Sequence, residues 1–389
     1  RERERERERT RASLTMADNN DPDDNENLNG NDNEGSGAID DLPWYEYPLG
    51  QRRIPDHVTH LRIGVQQAVV AAKHGIAPVV LELPDRFCAE HPNLQQVQIH
   101  VHTVEGVPQY AFINCSKLEK VEFVAMTGRN RVAAAAVTTK TSDPPVQSRL
   151  AEIGRAAFYC CTNLHSVIGL EHVSGSLELI GIRAFSDCGK LTALDLSCLT
   201  RLDHLGVSAF YVCASLTVVD LSNSVLLRQE INLLAFAYCK ALKIIHLPPH
   251  LKRIRERAFK ECMSLGWIVI PASLEFMGHY AFKKCSRLTK VTFQSTRHLS
   301  TLMHNLQFCD CSSLHTLKLQ GPAISRELWP LLLEQFLQGR NGLLVRAGIR
   351  NGKQHVTIAW NFMRANIANF YVGKKKRAGG KRNIHSIHQ

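Results

Sequence analysis

Cysteine is the residue of this chain with the widest range of possible chemistry, and the sequence contains twelve of them. Structural Zn²⁺ sites use cysteines at short fixed spacings, typically Cys-x-x-Cys. That pair does not occur. The nearest substitutes are Cys160-Cys161 and Cys309-x-Cys311, whose spacing is a weak match to a metal site. The sequence therefore predicts no metal site.

Histidine is the second candidate for chemistry, with eighteen copies scattered along the chain. His100 and His102 are two apart and would share one face of a strand, where a solvated pair is a simpler interpretation than a pair of metal ligands. The patterns His-Glu-x-x-His, Gly-x-Ser-x-Gly, the P-loop and the dinucleotide-binding glycines are all missing. We therefore predict that the chain is not an enzyme, has no catalytic residues and binds no cofactor.

Eight of the twelve cysteines belong to a repeated pattern that explains them without chemistry. The tetrad Ala-Phe-x-x-Cys recurs seven times, and an eighth copy at Phe308 lacks the Ala. Leu follows each Cys by three residues, and an apolar residue precedes each Phe by five. The aromatic members are Phe112, Phe158, Phe185, Phe210, Phe236, Phe259, Phe282 and Phe308, and the thiols are Cys115, Cys161, Cys188, Cys213, Cys239, Cys262, Cys285 and Cys311. An evenly spaced series of this kind favours small, buried, reduced core residues over disulfides.

The spacing of the repeats determines how they can fold. Successive Phe residues are 46, 27, 25, 26, 23, 23 and 26 apart, and the value of 46 indicates one repeat with an insertion near 124–149. Leu-x-x-Val-x-Leu alternates and predicts a short strand, while Ala258-Phe259 is expected to form a single helical or 3₁₀ turn. One such unit buries little by itself. Stacked units form parallel strands, and their Leu, Ile, Phe and Cys side chains form one continuous core.

The full pattern, Leu-x-x-Ile-Gly-x-x-Ala-Phe-x-x-Cys-x-x-Leu-x-x-Val-x-Leu-Pro, closely resembles the BspA-type leucine-rich repeat. The best matches are residues 150–164, 177–196 and 251–270. The resemblance implies an α/β solenoid, a right-handed curved array with short parallel strands on its concave face. It also implies a non-enzymatic protein associated with adhesion or protein–protein contact.

The chain divides into five predicted segments. Residues 1–41 form a low-complexity segment expected to be disordered, because it has almost no large apolar groups to bury. An N-terminal cap at 42–75 precedes about nine repeats at 76–320. A helical C-terminal cap at 321–372 follows, with helices expected at 325–337 and 360–371, and a disordered basic tail occupies 373–389.

The outward positions of the predicted strands are the candidate binding site. In Leu-x-x-Val-x-Leu the Leu and Val point inward, so the residues on either side of Val point outward. The middle of this face is apolar with a charged rim, which is typical of a protein-binding surface, although β-branched residues also suit strands without any partner. The predicted partner-binding residues are Ile168, Asp195, Val218, Asp220, Ile244, His246, Trp267, Val269, Lys290 and Lys318, with Trp267 as the anchor.

Charge offers an alternative function. Residues 42–389 carry 41 basic and 23 acidic side chains, a net charge of +18. A basic tail contributes to this excess, and it is predicted either to be a nuclear-localisation or nucleic-acid-binding segment or to be simply solvated. Its basic residues are Lys374, Lys375, Lys376, Arg377, Lys381 and Arg382.

The leading prediction is a scaffold that binds a protein or peptide on the concave face. The alternative is a nucleic-acid-associated protein that uses the basic body and tail. No stretch reaches the ~18 apolar residues of a membrane span. We expect a monomer inside the cell, in the cytoplasm or nucleus.

Overall fold

The computed structural model of the chain describes residues 44–47, 53–74, 80–125, 148–227, 229–302, 306–314 and 316–320, and the backbone of strands at 343–350 and 353–360. Contacts divide the chain into two units, 1–41 and Leu42–Gln389, and every described residue belongs to the second. The predicted insertion falls almost entirely on 126–147, outside the described residues.

A first ladder of strands contributes about one strand per repeat, and its strands pair in parallel. Hydrogen bonding joins them into three groups, β1-β2-β3-β5-β7-β9, β11-β13 and β15-β17-β18. The strands are β1 (Tyr45–Glu46), β2 (His60–Ile63), β3 (Gln96–His100), β5 (Lys120–Val124), β7 (Ser166–Ile168), β9 (Ala193–Leu194), β11 (Val218–Asp220), β13 (Ile244–His246), β15 (Trp267–Ile270), β17 (Lys290–Phe293) and β18 (Thr316–Leu319).

A second ladder of two-residue strands lies between each first-ladder strand and the following Ala-Phe segment. It pairs in parallel as β4-β6-β8-β10 and β12-β14-β16. These strands are β4 (Gly106–Val107), β6 (Glu152–Ile153), β8 (Leu179–Ile180), β10 (His204–Leu205), β12 (Glu230–Ile231), β14 (Arg253–Ile254) and β16 (Phe276–Met277). Their second residue is the buried apolar residue that precedes each Phe by five.

Helices are few in the part of the chain that the structure describes. They are α1 (Val65–His74), α2 (Leu299–Leu302) and a 3₁₀ turn at Leu170–Val173. None of these helices has both the length and the apolar character that crossing a membrane requires.

The Ala-Phe segment is not the helical or 3₁₀ turn expected from the sequence. Two residues in each repeat, one before Ala and one before Cys, have positive φ, as at Arg257 (53°) and Glu261 (60°), which no right-handed helix allows. Alternate N–H groups donate outside their own repeat: the N–H of Phe259 bonds to the Ala281 carbonyl at 2.8 Å. Every second backbone N–H of the segment donates to a carbonyl of the next repeat. The segments of successive repeats therefore form a third hydrogen-bonded ladder.

The backbones of adjacent repeats approach closely where Gly follows the second-ladder strand. A Cβ added at Gly206 would lie only 2.4 Å from the backbone carbon of Gly181. That distance is far inside van der Waals contact, so the position excludes a side chain while its neighbour stays in place. The Gly in the repeat pattern is therefore explained by packing between repeats.

A single apolar cluster runs from Tyr47 to Leu319 and contains the predicted Phe, Cys and Leu series. From Phe112 to Phe308 the rings stack one per repeat, with centroids 5.1–5.6 Å apart and planes within 9° of parallel. Phe87 instead meets Phe112 edge-on at 73°. The prediction of one continuous core is confirmed.

Each repeat cysteine has a hydrogen bond that sequence reasoning did not foresee. The Cys239 thiol donates to the Phe210 carbonyl at 3.2 Å, and the equivalent bond recurs at 3.0–3.2 Å from Cys161 through Cys311. The Phe210 carbonyl also accepts the N–H of Cys213. Cysteine therefore suits this position because it is small and apolar, and because it carries a weak donor.

Beyond residue 320 the described backbone is strand. β18 pairs antiparallel with β20 (Lys353–Trp360), which pairs antiparallel with β19 (Leu343–Arg350). The predicted helix at 325–337 lies outside the described residues, as does the one at 360–371 except for Trp360, which ends β20. The helical cap and the curvature and handedness of the array stay predictions.

Candidate functional site on the strand face

The outward side chains of the first ladder form a surface that we call the strand face. Side chains alternate in each strand, so that in β11 Val219 is buried while Val218 and Asp220 point outward. The same alternation holds in β13 and in β15, where Ile245 and Ile268 are the inward residues. The predicted residues that belong to strands thus lie on the outward side, and the exposed Asp195 lies just after β9.

The middle of the strand face is apolar and exposed. Val218 is 46% exposed, Trp267 38% and Ile168 37%. Val218 lies directly opposite Ile244 in the parallel pair β11-β13. The Trp267 ring meets the His246 ring edge-on, with centroids 5.8 Å apart. Three of the predicted apolar residues, Val218, Ile244 and Trp267, therefore lie on successive strands, whereas Ile168 lies two strands before Val218.

The two aspartates of the predicted site are engaged in local turns. Asp220 Oδ1 accepts the N–H of Ser222 at 2.9 Å, and Asp195 Oδ1 accepts the N–H and hydroxyl of Ser197. Burial would raise the pKa of Asp220, but the bonds from Ser222 and the nearby His246 outweigh it, so the pKa is lowered. The Asp-x-Ser spacing is itself the sequence signal for such a turn.

Two lysines mark the C-terminal part of the strand face. Lys290 is paired with Trp267 in register, and Lys318 lies on the next strand. Partial burial lowers the pKa of Lys290, and repulsion from Lys318 lowers it further. Neither lysine has a carboxylate partner among the described residues. Thr292 follows Val291, so the alternation of the strand pattern predicts that it points outward, but it is buried between Val269 and Lys318 in the register.

The N-terminal part of the strand face is polar and its groups bond to one another. The Arg62 guanidinium donates to Gln98, the Gln98 amide donates to Glu122, and Lys120 lies 3.3 Å from Glu122. This network joins β2, β3 and β5. It satisfies its own charges, so an incoming partner gains less there than at the apolar middle.

The interior thiols have little capacity for chemistry. Burial raises the pKa of Cys239 to about 12 and raises that of Cys213 and Cys262 as well. Thiols are poor nucleophiles and poor metal ligands while they stay protonated. Among the described residues no group of three or more His, Cys, Asp and Glu side chains is arranged to hold a metal ion.

His100 is the polar residue least accounted for in the interior. It is almost completely buried, and neither ring nitrogen has a hydrogen-bond partner. Its ring packs against His102 at 5.4 Å. Burial, and to a smaller extent the neighbouring His102, lowers the pKa of His100 to about 4, so the ring is neutral in the fold at neutral pH.

The basic tail lies outside the described residues. The role of Lys374–Arg377 and Lys381–Arg382, in localisation or in nucleic-acid binding, therefore stays a prediction from the sequence.

Three solved structures illustrate what the chain is similar to. A leucine-rich repeat protein from Bacteroides ovatus is 23% identical with a TM-score of 0.45, and the match covers 63% of this chain and 60% of that one. A leucine rich cell surface protein from Faecalibacterium prausnitzii is 18% identical with a TM-score of 0.23, covering 74% and 92%. The pneumococcal vaccine antigen PcpA is 15% identical with a TM-score of 0.30, covering 72% and 81%. This chain therefore spans less than two thirds of the Bacteroides ovatus protein.

No curated protein matches the sequence. The family model of the BspA type leucine rich repeat region matches six copies, at residues 82–194, 137–230 and 229–325. These ranges together span 82–325, well over half of the 389 residues. They contain the buried Phe and Cys series from Phe87 to Cys311. The resemblance in the Ala-Phe-x-x-Cys pattern is thus confirmed, and the chain belongs to the BspA-type leucine-rich-repeat family.

Proposed function

We propose that the chain is a non-catalytic scaffold that binds a protein or peptide on the strand face. The observation that carries this proposal is the exposure of Val218 and Trp267 beside Ile244 on successive strands. Large apolar side chains exposed together on a rigid surface favour association, since a partner removes them from water. The strands hold these side chains in fixed positions, which lowers the entropy cost of binding.

The charges beside the apolar middle indicate the chemistry of the partner. Lys290 and Lys318 repel each other and have no carboxylate partner among the described residues. A partner that presents an aliphatic or aromatic group to Trp267 and acidic groups to the two lysines would satisfy both features. The aspartates contribute less, because Asp195 and Asp220 already accept hydrogen bonds within their own turns.

A non-catalytic role is supported by the interior chemistry. The repeat cysteines are buried thiols with raised pKa values, and the Cys239 thiol is already committed to a hydrogen bond. The side chains at the centre of the strand face are the exposed Val218 and Trp267 and the half-buried Ile244, none of which is a nucleophile. The site is therefore built to bind.

Site-specific photo-crosslinking tests the proposal. A benzophenone amino acid is placed at Val218 on the strand face, or at the similarly exposed Val225 in the turn after β11 as a matched control. Irradiation in extract from the source cells is expected to give a discrete crosslinked protein at 218 and not at 225. That protein is then purified and its Kd for the unmodified chain is measured. Equal products at both positions, or no measurable Kd, would contradict the proposal.

A further inference from the structure

The basic charge of the folded chain is concentrated in one part of the stack. Residues 229–290 carry eleven Lys and Arg against four Asp and Glu, a net +7, whereas residues 148–228 carry six against seven, a net −1. Five of the eleven basic residues fall in the range Lys252–Lys260, which begins just before β14 and ends after it. A field this localised attracts polyanions to one region rather than to the whole molecule.

Carboxylates neutralise part of this charge within the fold and leave part without an ion-pair partner. Arg255 pairs with Glu230 at 3.4 Å and Arg257 with Glu256 at 3.4 Å. Arg253, Lys260 and Lys283 have no carboxylate within ion-pair distance in the described part of the chain.

Two of these lysines, which no carboxylate neutralises, lie over aromatic rings in or beside the Ala-Phe segments. Lys260 Nζ lies 5.0 Å from the ring centre of Tyr238, and Lys283 Nζ lies 4.6 Å from that of Tyr280. Tyr211 meets Tyr238 edge-on at 5.4 Å.

Backbone hydrogen bonds fix the spacing of the Tyr and Lys side chains. The Tyr238 N–H donates to the Lys260 carbonyl at 2.7 Å, and the Glu261 N–H donates to the Lys283 carbonyl at 2.7 Å. Lys260 and Lys283 therefore lie at the same position of adjacent repeats, one residue after Phe259 and Phe282, whose rings are 5.1 Å apart. Tyr238 lies in the repeat before that of Lys260, and Tyr280 lies in the same repeat as Lys283.

Phe276, on the second ladder, is another aromatic residue beside a basic one. It is 38% exposed and lies directly opposite Arg253 in the parallel pair β14-β16. We name the set Tyr238, Arg253, Lys260, Phe276, Tyr280 and Lys283 the basic–aromatic face. Its residues belong to the second ladder and to the Ala-Phe segments, and none of them belongs to the strand face.

We infer that the basic–aromatic face binds single-stranded nucleic acid. Lysines spaced by one repeat supply contacts to successive phosphates, and the tyrosine and phenylalanine rings supply surfaces on which bases stack. Stacking of this kind requires unpaired bases, which excludes duplex as the preferred ligand. An acidic protein would satisfy the cations but would leave the rings without a role.

The binding experiment uses the full chain with fluorescein-labelled oligo(U) and oligo(dT) of about 20 nucleotides. The variant Lys260→Gln/Lys283→Gln removes two cations from the face. The control Lys117→Gln/Lys190→Gln removes the same charge from exposed positions in other repeats. We expect the first variant to weaken binding about tenfold or more and to reduce the slope of log K against log salt by about two. The control is expected to change the affinity much less.

The aromatic part is tested with Tyr280→Asn. Tyr280 has a φ of 54°, and Asn tolerates this conformation, so the backbone is kept while the ring is lost. Removing one stacking ring is expected to weaken binding at least about fivefold. Circular dichroism and thermal unfolding check that each variant is folded.

Three results would overturn the inference. Equal losses in the face and control double variants would show that charge alone, or another segment, does the binding. Polyglutamate of similar length competing as well as oligo(U) would show that the rings play no part. Full affinity in folded Tyr280→Asn would show the same for its ring. The oligo(U) and oligo(dT) arms distinguish RNA from DNA as the source of the strand.

Discussion

The interior and the strand face of this protein follow opposite rules. In the interior the same residue recurs in every repeat, so that Phe185, Phe210 and Phe236 stack with planes only 2° and 5° from parallel. On the strand face the outward residue changes at every step, from Val218 to Ile244 to Trp267 along one register position. Both sets of side chains belong to the same repeats and are spaced by the same backbone ladders.

The difference separates the residues that hold the array together from those available to a partner. An interior position must match the repeats on both sides, so one residue type is suited to all of them. An outward position has solvent on one side and is free to vary. Specificity is therefore expected on the face, and most of the stability in the interior.

The largest effect is expected from breaking the interior stack. Phe210→Ala removes a ring that stacks on Phe185 and Phe236 at 5.4 and 5.3 Å. The loss of buried surface and the resulting cavity are expected to lower the free energy of unfolding by about 3–5 kcal/mol. Urea unfolding followed by circular dichroism measures it.

The control for the interior is Val218→Ala on the strand face. An exposed truncation is expected to change the free energy of unfolding by less than about 0.5 kcal/mol. A loss under about 1 kcal/mol for Phe210→Ala, or equal losses in the two variants, would remove the distinction between interior and face.

The interior was the more predictable of the two regions. Its period and its buried Phe, Cys and Leu residues follow from the sequence. The same residue type recurs at the same position in eight repeats, which few folds other than a stacked array would explain. The prediction of a helical or 3₁₀ turn in the Ala-Phe segment was wrong. A local pattern of apolar residues does not show that alternate N–H groups bond to the next repeat. The positive φ at Val212 and Leu234 also has no sequence signal, since these residues rarely adopt it.

For the strand face, the sequence predicted which side chains point outward but not which neighbouring residues they contact. Alternation in the strands places Val218 and Trp267 outward, and the structure agrees. Sequence spacing does not show that Thr292 is covered by its neighbours, or that Gln98 and Glu122 belong to a network across strands. Such contacts depend on residues more than twenty positions apart, which a single repeat does not specify.

The second largest effect on stability is expected from His100, a polar residue buried in the otherwise apolar interior. Its pKa is about 4 in the fold against an ordinary 6.5, so below pH 6.5 the unfolded chain binds a proton that the folded chain does not. The contribution of His100 to stability is therefore fully present above pH 6.5 and is lost as the pH falls to 4, an effect of up to about 3 kcal/mol.

Urea unfolding at a series of pH values between 7.5 and 4.5 measures the contribution of His100. His100→Leu is expected to flatten the fall in stability, because the proton-binding group is gone. The control His57→Gln changes an exposed histidine and is expected to leave the profile unchanged. A profile that stays as steep in His100→Leu as in the parent would contradict this account.

The third largest effect is expected on the affinity of the strand face for its partner. Trp267→Ala is expected to weaken the complex with the partner crosslinked at Val218 by at least about 2 kcal/mol, because a large exposed ring is lost from the centre of the contact. The free energy of unfolding is expected to change little. Titration calorimetry measures the first quantity and urea unfolding the second.

Met263→Ala is the matched control for Trp267. Met263 is similarly exposed but lies in the turn before β15, off the strand face. Its loss is expected to leave the affinity unchanged. A folded Trp267→Ala variant with full affinity would place the partner elsewhere.

The smallest effect tests an outward residue that we assign to structure. Asp220 points outward, yet its carboxylate accepts the N–H of Ser222 and so closes the turn after β11. Asp220→Ala is expected to cost about 1 kcal/mol of unfolding free energy, because that N–H loses its partner. Asp220→Asn keeps an acceptor oxygen at the same place and is expected to recover most of the loss.

The pair of Asp220 variants distinguishes structure from binding within the strand face itself. If Asp220 serves the turn, Ala and Asn differ in stability while both bind the partner about as well as the parent. If it serves the partner through its charge, both variants lose affinity equally and Asn gives no rescue. The second pattern would extend the binding site across β11, and it would show that a hydrogen bond inside a turn does not remove a carboxylate from recognition.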